Sequence, residues 1–181
     1  MNKIIFITGA TSGFGKASAK LFAQNGDHLI LTGRRKDRLE RLSNKLIDKY
    51  NIRVMPLCFD VRDQAATFEA INTLPENWKK IDVLINNAGL ASGLNKIQDG
   101  DFDDWNKMID TNIKGLLHVS RSVMPLMIAR KKGHIINIGS TAGKEAYLNG
   151  NVYCATKHAV DAISKSMRID LLEHGIKVTQ I

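Results

Sequence analysis

Short, nearly continuous apolar runs alternate along this chain with longer stretches in which apolar residues recur every three or four positions. The short runs predict strands over residues 4–8, 28–32, 53–59, 81–86, 134–139 and 177–181. The longer stretches predict helices over 13–25, 36–50, 63–73, 102–130 and 152–174, the fourth of them broken in two. Such alternation is the signature of βαβ units and a parallel sheet. Strands that are apolar throughout suit a sheet covered by helices on both faces. The expectation is therefore an α/β, doubly wound fold forming one domain over 1–181. In the last helix, Val152, Ala155, Ala159, Ile163 and Met167 recur at helical spacing and are expected to face the core or an oligomer contact. Gly133 and Gly175 stand between a helix and a strand, where C-terminal caps are expected.

Composition changes this picture little. With 181 residues, 44% of them hydrophobic and 24% charged, the chain has ordinary globular usage and enough length for a real core. No apolar run approaches the roughly 20 residues that span a bilayer. The apolar stretch at 4–7 is brief and runs straight into a glycine motif, unlike a signal peptide. A soluble, cytoplasmic protein with no membrane partner is expected. Cys58 and Cys154 have neither metal-ligand spacing nor a disulfide framework, so no metal is expected and both should pack as small hydrophobes.

Charge is more informative. Twenty-six Lys and Arg against 18 Asp and Glu give a net charge of +8, which admits nucleic acid, an anionic surface or an anionic cofactor. One dense cluster, Arg34-Arg35-Lys36 with Arg38 and Arg41, follows the second strand. Another, Arg130-Lys131-Lys132, reads as a solvated helix end. No aromatic residues interleave with either, as a single-strand binding surface would prefer, so no nucleic-acid partner is expected.

The first strand ends in Thr8-Gly9-Ala10-Thr11-Ser12-Gly13-Phe14-Gly15 and passes at once into a helix. Glycines there let the backbone approach a pyrophosphate, and the helix start offers free N–H groups and partial positive charge. This places a dinucleotide in a Rossmann-type fold. About 20 residues past such glycines an acid would bind the adenosine ribose 2′-hydroxyl, whereas arginine accommodates a 2′-phosphate. Arg34 and Arg35 stand there, and cations at a helix start otherwise oppose its dipole, so NADP is expected as the cofactor. Farther on, Tyr153 and Lys157 are four apart and share one helical face, with Ser140 thirteen residues before the tyrosine. A phenol with a pKa near ~10 serves as an acid/base group only where a cation stabilises its phenolate, and Lys157 supplies one. The pair alone is weak, because Tyr and Lys fall four apart in many helices; Ser140 alone also reads as a cap.

Taken in order, Thr8-Gly9 with Gly13 and Gly15, Asp60-Val61, Asn86-Asn87-Ala88-Gly89, Asn112, Ser140, and Tyr153 with Lys157 resemble the short-chain dehydrogenases/reductases across essentially the whole chain. The resemblance implies that Asp60 and Val61 bracket an adenine ring and that Asn86, Asn87, Ala88 and Gly89 support the cofactor side. It also implies that Asn112, Ser140, Tyr153 and Lys157 form a catalytic tetrad. The cofactor set is then Gly9, Thr11, Ser12, Gly13, Phe14, Gly15, Arg34, Arg35, Asp60, Val61, Asn87, Ala88, Gly89, Tyr153 and Lys157. In that reading Tyr153 moves the substrate proton, Lys157 holds the nicotinamide ribose, Ser140 binds the reacting oxygen, and Asn112 orders a water that relays protons.

Within the family, the segment 133–143, Asn151-Val152-Tyr153, Thr32-Gly33-Arg34-Arg35 and Trp105 with 108–112 resemble the NADP-dependent 3-hydroxy acid dehydrogenases. A serine- or L-allo-threonine-like 3-hydroxy acid, or its semialdehyde counterpart, is the implied substrate, and Lys144 is a candidate for its carboxylate. The resemblance also implies a further lid and last strand beyond residue 181, and a homotetramer in the complete protein. A reductase of 3-oxoacyl thioesters and a non-catalytic nucleotide-binding module remain open alternatives.

Overall fold

The computed structural model describes residues 2–181. Six strands form one parallel sheet: β1 (Ile4–Ile7), β2 (His28–Thr32), β3 (Val54–Leu57), β4 (Val83–Asn86), β5 (Gly133–Asn137) and β6 (Ile176–Gln180). Their spatial order is β3-β2-β1-β4-β5-β6. The chain therefore winds outward in one direction through β3, returns to the other side of β1 and winds outward again. The reversal lies between β1 and β4, the point at which open α/β sheets bind ligands at their carboxyl ends.

The helices are α1 (Gly13–Gln24), α2 (Lys36–Tyr50), α3 (Gln64–Asn72), α4 (Phe102–Ile109), α5 (Leu116–Arg130) and α6 (Asn151–Asp170). They cover both faces, giving two cores. Ala19, Ala23, Leu39, Leu42 and Leu46 of α1 and α2 pack on Ile5, Ile7, Leu29 and Leu31. On the other face Ile71, Val119, Val123, Met127, Val160 and Met167 pack on Phe6, Ile30, Leu84 and Ile135. Successive strand residues thus serve opposite cores, which is why the central strands carry consecutive apolar residues, as in Ile4–Ile7 and Leu29–Leu31.

Several expectations are corrected. The stretch 102–130 does divide into two α-helices, but the interruption is a π-helical turn over Asp110–Gly115 that carries α4 into α5 without a loop. One extra residue in the ladder shifts the facing side chains without ending the helix. The inward face of α6 matches the expected apolar stripe only in part, at Met167 and at Ile163, which packs against the core. Thr156, Lys157, Val160, Ser164 and Met167 are buried, while Ala155 is exposed and Val152, Ala159 and Ile163 are half-buried. Ser164 can sit inside because it donates to Val160 O at 2.7 Å and accepts from Asn137 Nδ2 at 2.9 Å. The left-handed residue closing α5 is Lys131 (φ 49°), not Gly133; a Cβ on Gly133 would run into Met127. Gly175 does take a left-handed φ of 68°, five residues beyond α6, which ends short of 174. Cys154 is buried as expected, but Cys58 is exposed at the end of the short edge strand β3.

The basic end of α5 is also not simply solvated. Arg130 Nη2 donates to Asp82 Oδ1 at 2.8 Å and its Nη1 to Ile81 O at 3.1 Å, while Asp82 Oδ2 accepts from Ile4 N. Burial raises the Asp82 pKa, but the Ile4 amide and the Arg130 guanidinium more than offset it and hold the carboxyl below its ordinary value. A depressed folded-state pKa stabilises above the unfolded value of ~3.9, and that contribution is lost as pH falls through the folded one. Asp82→Asn is expected to cost about 1–3 kcal/mol in urea unfolding at pH 6, with the gap from the unaltered protein closing as pH drops below ~3.9.

Candidate active site

At the carboxyl ends of β1 and β4 a cleft of about 920 Å³ opens. The loop from β1 to α1 forms one wall. Gly9 has φ 64° and a Cβ there would press on Ala88 Cα at 3.0 Å, so only glycine lets the two turns meet. Gly15 does not line the cleft; it lies beneath the loop, where a Cβ would strike Asn87 Nδ2 and stand 2.6 Å from Gly9 O. Asn87 holds the turn from its side, donating through Nδ2 to Thr8 O at 2.8 Å, and Thr8 Oγ1 accepts from the amides of Asn87 and Ala88 at 2.9 Å. Gly15→Ala is expected to displace Asn87 and weaken dinucleotide binding by at least about tenfold, read by nucleotide fluorescence titration.

Thr11, Ser12, Gly13 and the exposed Phe14 complete this wall. Arg35 stands at the N-cap position of α2, and its Nη2 donates to Thr11 Oγ1 at 2.9 Å and Ser12 Oγ at 3.3 Å. Arg34 lies beside it, its guanidinium 3.7 Å from Asp60 Oδ2. Asp60 and Val61 line the same end of the cleft. Burial raises the Asp60 pKa, yet hydrogen bonds from the Arg62 side chain and amide, with Arg34 nearby, bring it below the ordinary carboxylate value.

At the other end Gly89, Ser140, Tyr153 and Lys157 come together. Ser140 Oγ accepts from Ala142 N at 3.1 Å, starting a 3-10 turn, and keeps its own hydroxyl proton to donate. Lys157 is 7% exposed and donates to Ile138 O at 2.9 Å, with its Nζ 5.9 Å from the Tyr153 ring centre. Burial alone pushes its pKa down. Asn112 stands behind the cleft rather than on it. Its Oδ1 accepts from Leu90 N, and its Nδ2 donates to Leu90 O and to Thr156 Oγ1 at 3.0 Å. The side chain holds the loop after β4 against α6, using both Nδ2 protons and one of the two acceptor sites of Oδ1.

Asn86, expected on the cofactor side, is also elsewhere: its Nδ2 donates to Ser120 Oγ at 2.9 Å and Asn137 Oδ1 at 2.8 Å inside the core. Lys144 is turned away from the cleft, its Nζ 2.7 Å from Asp161 Oδ1. Together with Lys165 it drives the Asp161 carboxyl down to about 2. Residues that sequence reasoning missed include Leu90, Ala91 and Thr111, which also line the cleft. Thr111 Oγ1 is buried without a partner. Its sequence signal was membership of the 108–112 segment, next to Asn112.

These features fit a phosphorylated dinucleotide: a glycine cradle at a helix start and two guanidinium groups where a 2′-phosphate would lie. A family model described as short chain dehydrogenase matches residues 3–181. The chain is 48% identical over 178 residues to the NADP-dependent 3-hydroxy acid dehydrogenase YdfG of Salmonella typhi, covering 98% of this chain and 70% of that protein. The crystal structure of serine dehydrogenase from Escherichia coli superposes with a TM-score of 0.91 at 46% identity, over 98% of this chain and 80% of that one. A closed form of serine dehydrogenase complexed with NADP+ gives 0.90 at 47%, over 98% and 70%.

Proposed function

The chain belongs to the short-chain dehydrogenase family, and from that premise we propose that it passes a hydride between NADP(H) and a short 3-hydroxy acid, or the matching 3-oxo acid or semialdehyde. The observation that carries the chemistry is the meeting of Tyr153, Lys157 and Ser140 at the end of the cleft opposite the phosphate loop. When bound, the nicotinamide accepts or supplies the hydride. The loop residues 9–15 would hold the pyrophosphate, Arg34 and Arg35 the 2′-phosphate, and Asp60 and Val61 the adenine end.

Tyr153 takes the hydroxyl proton in oxidation and returns it in reduction. Ser140 donates its free proton to the reacting oxygen. Lys157 is anchored on Ile138 O by one of its three ammonium protons, so two remain for the ribose and the phenol oxygen. Asn112 acts as a positioning residue, through Leu90 and Thr156.

The discriminating experiment compares oxidation of L-serine and L-allo-threonine with NADP+ against reduction of a 3-oxoacyl thioester with NADPH. Faster turnover of the hydroxy acids supports this reading; thioester preference would move the protein to another branch of the family. Cofactor binding without either turnover would leave a nucleotide-binding module.

The same reading places the protein in the cytoplasm as a homotetramer. No helix among the described residues is long and apolar enough to cross a membrane. Leu117, Ile169 and Leu172 leave apolar surface exposed on and just beyond α5 and α6. Sedimentation velocity of the purified protein tests the assembly.

A further inference from the structure

We infer that the groove between α1 and α2 is a second anion site, shaped for a small polyphosphorylated molecule and distinct from the dinucleotide cleft. The groove encloses about 930 Å³. Lys16 and Lys20 of α1 face Arg38, Arg41, Lys45 and Lys49 of α2 across it. Their spacing of three and four residues puts each set on one helix face, where like charges repel one another.

Little offsets that repulsion within the protein. Among the described residues no carboxylate lines the groove, and of the six cations only Arg41 has an acidic partner, Asp37 on its flank. Glu40 is engaged instead with Lys36 outside the groove. A concentrated, unneutralised positive channel of this kind attracts and holds anions.

The lining narrows the ligand class. Leu42 and Leu46 are buried beneath the floor, so beyond the exposed Leu21 there is little apolar surface to anchor a protein partner. Tyr50 is the only aromatic side chain facing the groove among the described residues, and Lys49 already lies over its ring at 5.1 Å. That gives no row of stacking platforms for nucleic-acid bases. A concave channel between two helices does not follow the plane of a bilayer. Mobile ammonium groups spread along both walls match several phosphate groups in series.

The groove meets the dinucleotide cleft at Thr11 and Gly13 but has its own cations. Arg34 and Arg35 line only the cleft, whereas the six basic residues above line only the groove. A ligand held by the groove cations therefore borders the cleft only at Thr11 and Gly13.

The test titrates inorganic tripolyphosphate calorimetrically into protein saturated with NADP+, alongside the triple variant Lys20→Gln, Lys45→Gln, Lys49→Gln. The expected result is one-to-one binding that weakens with added salt and falls at least about tenfold in the variant. NADPH binding, followed by nucleotide fluorescence, should change less than about twofold in that variant. No binding to the saturated protein, or equal binding by both proteins, would overturn the inference. The wild-type and variant comparison can also be made without cofactor, so a failure of NADPH to bind would count against the cofactor reading alone.

Discussion

Tyr153→Phe is expected to lower turnover by about 10²–10⁴-fold, to the edge of detection, while NADPH affinity stays within about threefold. The change removes one oxygen. It keeps the ring volume and the face toward which Lys157 Nζ lies at 5.9 Å, so packing of the half-buried side chain is preserved. What disappears is the group at the cleft that can exchange a proton with the reacting oxygen; Ser140 remains and can only bind it. Steady-state kinetics with the best substrate, together with fluorescence titration of NADPH, check the result. A variant with near-normal kcat would transfer the acid/base role away from Tyr153. A variant that loses cofactor binding in parallel with turnover would make the residue structural.

The second large effect concerns cofactor choice. Replacing Arg34 and Arg35 together by Ala should reduce kcat/KM for NADP+ by about 10²-fold or more, since charge-assisted hydrogen bonds are worth roughly 1.5–3 kcal/mol each. The value for NAD+ should fall far less. Some decline is expected there as well, because Arg35 also ties down Thr11 and Ser12 of the phosphate loop. Arg34→Ala alone spares that tie and should separate the two contributions. Folding stability should hold or rise slightly, because two cations leave the start of α2, where the helix dipole disfavours them. An equal loss for NAD+ and NADP+ would show that these arginines shape the loop without reading a 2′-phosphate.

Much of this architecture was legible in the sequence because the strands carry runs of consecutive apolar residues and the helices do not. The glycine loop was legible for a similar reason: close backbone approach leaves few residues that fit. Three things were hidden, each for a physical cause. Only part of the inward face of α6 was legible, because its buried positions also carry Thr156, Lys157 and Ser164, polar groups made tolerable by partners on other elements. An interruption of the 102–130 helix was expected, but its π-helical form was not legible, since Asp110-Thr111-Asn112-Ile113-Lys114-Gly115 contains neither proline nor an internal glycine. The destinations of Asn86, Asn112 and Lys144 depended on partners 22 to 51 residues away or, for Lys144, on Asp161 of α6, 17 residues on in sequence. Residue type and spacing nominated these side chains, but tertiary pairing decided what each one does.

Asn86 and Asn137 also face one another directly as register partners on β4 and β5, with Ser120 and Ser164 completing the buried chain. Apolar burial cannot by itself choose this alignment. A slip of two residues between neighbouring strands keeps every side chain on its own face of the sheet and loses little oily contact. It would, however, strand two buried carboxamides. It would also carry Ile138 O about 6–7 Å along the sheet, away from the ammonium of Lys157 that it anchors. Four small polar side chains in the dry interior thus act as a vernier: they fix the longitudinal setting of two strands, and with it the ångström-scale aim of groups at the strand tips that they never touch.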